Sequence, residues 1–357
     1  MKKILFLVPY PKGQAPSQRF RFEQYFDILS ERGFELEIRP FLDEKTWHNL
    51  YSSGKDFSKL LGVISGFAKR IGDVFRAIRS DFVFIHREAS PIGPPVYEWV
   101  ISKVVGKKVI YDFDDAIWMP NTSAENKLIA GLKWHDKVSS ICRWSWKVSA
   151  GNSFLRDFAA KYNPNAQLNP TSIDTVNLHV PGSDKEIKKT VVIGWTGTHS
   201  TSKYLKIIEP VLKKLEEKFT FKFLVISNRA HDLDVTSLEF KPWNKESEIQ
   251  DLREIDIGVM PLSDDPWAKG KCGFKALQFM ALEIPVVVSP VGVNKEIVEN
   301  GVNGLLASNE NEWYDHLSQL LTSPDKREKL GMNGRQKVID SYSVDSNERN
   351  FISLFTD

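Results

Sequence analysis

Short apolar runs bounded by polar turns recur along the chain, and between them apolar residues fall at helical spacing. The uninterrupted run at 4–8 predicts a strand buried on both faces. Residues 17–32 predict a helix stopped by Gly33, a residue that readily takes the left-handed conformation ending helices. A strand is predicted at 35–38. Over 57–78 the apolar residues Leu60, Leu61, Ile64, Phe67, Ile71, Val74, Phe75 and Ile78 recur three and four apart, which predicts a helix. Strands at 82–85, 109–111 and 147–150 follow, with helices at 96–105 and 153–162. The pattern then restarts: strands at 191–195, 221–226, 257–260 and 285–288, with helices at 202–218, 246–253, 275–282 and 295–299.

Strands alternating with helices predict parallel sheets covered on both faces, here two doubly wound Rossmann-like domains. Residues 163–189 are polar, contain several prolines and have no period, and predict the connection between them. The expected division is 1–168, a linker at 169–189, and a second domain at 190–342. In folds of this class ligands sit at the carboxyl ends of the strands, so the loops after residues 8, 85, 111, 195, 226 and 260 are where function is sought.

Composition narrows the classes. With 357 residues, 41% hydrophobic and 26% charged, the chain is of globular type and long enough for two domains. A formal net charge of +2 argues against a dedicated nucleic-acid binder. Cys142 and Cys272 match no metal-ligand spacing, and so few thiols fit a reducing, cytoplasmic setting. The basic start and five-residue apolar run at the N-terminus meet Pro9 and Pro11 without a cleavage site, as in a first strand rather than a signal peptide. Lys55, Lys59, Lys69, Arg70, Arg76 and Arg79 accompany the helix at 57–78. That helix is either a core helix with a solvated basic face, the preferred reading, or a peripheral contact at the inner face of a membrane.

The most informative stretch is 256–304. A short apolar strand runs into a loop holding Gly270, Lys271, Gly273 and Lys275, then a helix, then an apolar strand. That arrangement offers backbone N–H groups and a helix N-terminus to an anion. Lys271 and Lys275, four apart, are expected on one side of the first turns, where a diphosphate needs them. The competing reading is an ordinary βαβ unit with solvated lysines.

With these loops laid out, the chain resembles the retaining glycosyltransferases of the GT-B fold, specifically the large family 4. The carrying segments are IGWTGTHSTSKYL, FKPW at 240–243, GFKALQFMALEIPVVVSPVG and KEIVENGVNGLL, with YDFDDAIW and FVFIHRE in the first half. The resemblance implies two domains facing a central cleft, a final helix (343–357) crossing back to the first domain, and transfer of a sugar from a nucleotide diphosphate to a hydroxyl with retention. It implies surface polysaccharide or glycolipid biosynthesis as the setting, a saccharide or lipid-linked acceptor, and no metal or other cofactor.

Two departures stand out. The family's paired glutamates, separated by seven residues, are replaced by Gly270 and Gln278, and its usual arginine after the first strand of the second domain is Trp195. Gln278 can still hydrogen-bond a ribose hydroxyl, as a neutral group. Lys271 and Lys275 are expected to replace the arginine, assisted by the amides of Gly273 and Phe274. The loss of both carboxylates also admits a catalytically degenerate donor-binding partner subunit, and the fold admits a nucleotide-sugar epimerase.

The remaining candidates follow the strand ends. His86 is expected to project into the cleft and act near the sugar, with a satisfied core histidine as the alternative. Asp112, Asp114 and Asp115 are read as one residue orienting an acceptor hydroxyl (Asp112) and one capping the next helix, in preference to a metal site. On the first loop Gly13 and Arg19 are expected to meet a phosphate; Arg21, two residues on, points elsewhere. Gly197, Thr198 and His199 are expected under the diphosphate. Trp243 stands beside the base or in the core, in a chain with ten tryptophans.

Overall fold

In a computed structural model, residues 1–50, 54, 56–119, 134–182 and 190–356 are described. Lys55 and the part of the expected linker at 183–189 lie outside the described residues. The chain divides into two compact units, Met1–Thr171 with Asn347–Asp357, and Ser172–Ser346.

The first unit is built on a six-stranded parallel sheet: β1 (Lys2–Val8), β2 (Phe34–Pro40), β3 (Phe82–His86), β4 (Lys108–Phe113), β5 (Lys147–Ala150) and β6 (Ala166–Leu168), in the order β2-β1-β3-β4-β5-β6. The side chains of β1 from Ile4 onward and all of β3 are buried, as their near-continuous apolar sequence requires. Register places His86 opposite Asp112, and Asp112 opposite Ser149, at the carboxyl ends of β3, β4 and β5. The strand β6 lies in the stretch read as linker; three half-buried residues in a polar context leave no periodic signal.

In this unit two helices depart from expectation. The one predicted at 17–32 is broken into Pro16–Arg19, a 3₁₀ turn Glu23–Tyr25, and Phe26–Glu31. The break turns Phe20, Arg21 and Phe22 all inward, which one continuous helix cannot do. The helix Asp56–Ile78 forms, but the reading of its apolar stripe as core is reversed. Phe57, Leu60, Leu61, Ile64, Ile71, Phe75 and Ile78 are exposed, while Arg70, Asp73 and Ala77 are buried.

The second unit carries another six-stranded parallel sheet: β7 (Val191–Gly197), β8 (Phe221–Ser227), β9 (Leu238–Pro242), β10 (Ile257–Met260), β11 (Val286–Val288) and β12 (Leu305–Leu306), in the order β12-β11-β10-β7-β8-β9. Its core joins Ile193, Val225, Val259 and Val287 of the sheet to Leu212, Trp313, Leu317 and Leu330 of the covering helices. The helix predicted at 202–218 is divided into Lys203–Ile207 and Glu209–Glu216, with Pro210 in the first turn of the second. Chain direction across the sheet reverses between β7 and β10, so the loops following these strands meet at a topological switch point. Among the described residues no helix is long and apolar enough to cross a membrane.

Candidate functional site

At the switch point of the second unit, the helix Phe274–Ala281 begins at Gly273, whose φ of 68° is in the left-handed region. A Cβ on Gly273 would lie 2.2 Å from Cδ1 of Ile297, so conformation and space both demand glycine. Lys271 lies before the helix rather than on its first turn, and its ammonium is 4.9 Å from the ring centroid of Trp267. Lys275, in the first turn, crosses to β7. Its Nζ sits 4.3 Å from the Trp195 centroid and donates to Thr201 Oγ1 at 3.0 Å.

Gly197 completes this packing. A Cβ there would come within 2.6 Å of Lys275 Nζ and 2.7 Å of the Trp195 ring. Burial, followed by the neighbouring Lys271 charge, lowers the Lys275 pKa to about 7. A half-buried cation whose charge is disfavoured by desolvation and by a second cation gains from a bound anion. Trp195, at the position of the expected arginine, is the surface on which Lys275 rests.

Thr198 is exposed and precedes the short helix His199–Ser202, while the side chain of His199 lies outside the described residues. Trp243, half-buried after β9, donates from Nε1 to Glu248 Oε1 at 3.3 Å. The Gln278 amide is buried. It bonds the same Glu248 oxygen at 3.5 Å and lies 3.4 Å from Nε2 of the buried His179. The expectation of Gln278 facing a ribose is thus replaced by an internal bridge among three segments. Glu248 and His179 were not singled out from sequence; nothing near either in the chain marks it.

In the first unit the register of β3, β4 and β5 assembles a buried polar network. His86 Nδ1 is 2.8 Å from Asp112 Oδ2, Ser149 Oγ donates to Asp112 Oδ1 at 2.6 Å, and Arg21 pairs with both Asp112 and the Asn169 carbonyl. Asn169 Nδ2 donates to Ser149 Oγ at 3.1 Å. His86 is fully buried against Phe22 instead of projecting outward, and Asp112 is committed to three side chains. The Arg21 charge and the His86 hydrogen bond outweigh burial and hold Asp112 well below the usual carboxylate range.

Asp114 and Asp115 both bond Arg87, each at 2.8 Å, and the stretch at 120–133 that follows them lies outside the described residues. Arg87 has a φ of 59°, a left-handed position for a bulky residue, fastened by that fork and by Tyr111 Oη donating to its carbonyl. Among the described residues no group of three or more His, Cys, Asp and Glu side chains is placed to hold a metal ion. On the first loop, Gly13 takes a φ of 77° and donates its N–H to Glu23 Oε2 at 2.7 Å. The buried Gln18 ties that loop together through Tyr10 and Glu23. Arg19 is half-buried with its guanidinium 4.8 Å from the Phe20 ring centroid, whereas Arg21 is wholly internal.

Two six-stranded parallel sheets with this strand order define the GT-B class of glycosyltransferase folds. Residues 190–323 match the family described as Glycosyl transferases group 1. Across 99% of the chain, and 98% of the other, the fold is similar to sucrose-phosphate synthase from Thermosynechococcus elongatus, with a TM-score of 0.68 at 13% identity. A glycosyltransferase from Rickettsia africae is similar over 99% of this chain and 97% of that one, with a TM-score of 0.69 at 15% identity. HepE of Anabaena, solved in complex with UDP-glucose, is similar over the whole of both chains, with a TM-score of 0.65 at 14% identity. Among curated proteins, spore coat protein SA of Bacillus subtilis is 29% identical over 79 residues, a stretch that spans 21% of this chain and 21% of that protein.

Proposed function

We propose that the protein is a nucleotide-sugar-dependent glycosyltransferase of the retaining, family 4 type. The observation that carries the reading is the Lys275–Trp195–Gly197 packing beside Lys271 and Gly273, at the switch point of a unit matching Glycosyl transferases group 1. The donor diphosphate is bound by Lys271, Lys275 and the amides of Gly273 and Phe274. These positive groups stabilise the charge that develops as the bond from the anomeric carbon to the phosphate oxygen breaks.

The acceptor oxygen bonds the anomeric carbon from the face the phosphate leaves, and its proton passes to the departing phosphate oxygen. His86 is held inside the first unit: with Asp112 ionised, Nδ1–H donates to it, and the fully buried imidazole belongs to the network that Arg21, Ser149 and Asn169 complete at the strand ends. Thr198 and the backbone of His199 complete the donor contacts within the second unit, and Trp243 sits at the base. No metal takes part. The acceptor is a saccharide or a lipid-linked saccharide, and the setting is surface polysaccharide or glycolipid assembly in the cytoplasm.

The test is incubation with UDP-, GDP- and ADP-sugars and simple glycoside acceptors, with and without EDTA, followed by NMR of the product's anomeric proton. Glycoside formed with the donor's configuration, unchanged by EDTA, supports the reading. Inverted product contradicts retention, and binding without turnover returns the protein to a donor-binding partner subunit.

A further inference from the structure

The helix Asp56–Ile78 is built inside out. Its inward line is Gly62, Gly66, Arg70, Asp73 and Ala77, spaced three and four apart. A Cβ on Gly62 would lie 2.3 Å from Thr46, and one on Gly66 would lie 2.6 Å from Phe41, so the helix is drawn close to its unit on that side. Arg70 anchors it further, donating to Asp73, to Ala89 O at 2.6 Å and to Val8 O at 2.9 Å. The large apolar residues face the other way. Phe57 is 74% exposed, Phe75 67%, Ile71 58%, and Leu60 and Ile64 each 55%.

The outward stripe continues onto the adjoining segment. Val96, Trp99 and Val104 are exposed, and a groove of about 520 Å³ lined by Phe67, Ile71, Val96 and Tyr97 joins the two. Contiguous apolar surface on this scale marks an interaction face. Its charged border is cationic: Arg79 and Lys103 are exposed there, and Arg76 is exposed as well but paired with Glu37 at 2.6 Å, whereas Asp73 and Glu98 are buried.

We propose that this face docks on an anionic lipid surface, with the helix lying in the plane of the membrane. At 23 residues the helix is some 35 Å long at about 1.5 Å per residue, and only one of its faces is apolar. It is pinned along its other face by Arg70 and Asp73, so it sits in the headgroup boundary and does not cross. The cationic border chooses between occupants. Face-to-face pairing of two copies brings Arg79 and Lys103 toward their own kind, whereas phosphodiester headgroups neutralise them. The inference stands on this surface alone and is independent of the donor site.

Vesicle co-sedimentation of the full chain tests it, with phosphatidylcholine alone and with added phosphatidylglycerol, alongside sedimentation velocity without lipid. Wild type is expected to pellet with the anionic vesicles, less so as salt rises, and to remain monomeric. Ile71→Glu with Phe75→Glu is expected to lower the bound fraction by about tenfold or more. Arg79→Glu with Lys103→Glu is expected to remove the preference for anionic lipid. All four positions are exposed, so unchanged thermal melting confirms that these variants fold. Equal binding to both vesicle types overturns the anionic-lipid assignment. Failure to pellet overturns membrane docking, and a dimer abolished by Ile71→Glu assigns the face to a second copy of the chain.

Discussion

The Lys275 ammonium rests 4.3 Å above the ring of Trp195, and Gly197 leaves the space in which the two meet. An aromatic face supports a cation without neutralising it. Burial first and the Lys271 charge second nevertheless lower the Lys275 pKa to about 7. A bound diphosphate favours the protonated form and raises that pKa, so donor binding takes up a proton. Affinity is expected to be full below about pH 7 and to fall about tenfold per pH unit above it, until the pKa of the complex is reached. Calorimetric titration across that range in buffers of different ionisation enthalpy checks both the slope and the proton uptake. Lys275→Ala is expected to flatten the profile.

Gly197→Ala places a methyl group against Lys275 Nζ and the Trp195 ring. The lysine end can move and the indole cannot move far, so the variant is expected to lose about tenfold in donor affinity and about 1–2 kcal/mol in stability. In a Lys275→Ala background the same change is expected to add little to the loss of affinity. A double-mutant cycle of donor affinities measures the coupling.

Asp112→Asn breaks the buried pair with Arg21 and leaves the guanidinium uncompensated, at a cost of about 3–5 kcal/mol. The folded-state pKa of Asp112 is depressed, so its contribution is fully present above the unfolded value of about 4 and is lost as pH falls through lower values. Urea unfolding of wild type and variant is expected to show a gap that is full near neutrality and narrows in acid.

Gln278→Glu restores the residue usual in the resembled family, yet it is expected to destabilise this protein. The Gln278 amide donates to Glu248, and a carboxylate there faces another in a buried site. One of the pair must then hold a proton in the folded state. The folded form binds more protons than the unfolded one, so the variant loses stability as pH rises above about 4. Denaturation midpoints of the variant at acid and neutral pH decide this.

Much of the second unit was legible in the chain because its strands are apolar runs and its donor loop packs glycines and lysines into a few residues. Lys271, Gly273 and Lys275 were singled out there and lie together in the structure. What could not be read is what meets them from afar. Trp195 looked like a lost arginine, and its role under Lys275 depends on β7 and β10 being neighbours. The His86–Asp112–Ser149 alignment likewise depends on strand register, and Arg21 joins it only because the first helix breaks. Periodicity found the helix Asp56–Ile78 but could not say which face meets solvent, since an apolar stripe has the same spacing whether buried or exposed.

In the proposed function the two lysines beside Gly273 hold a nucleotide diphosphate. Isothermal titration of UDP-, GDP- and ADP-sugars into wild type, Lys271→Ala and Lys275→Ala tests it most directly. Saturable binding of one nucleotide class is expected, weakened about tenfold to a hundredfold by either substitution with the melting temperature unchanged. No binding of any donor, or binding that neither substitution alters, contradicts it.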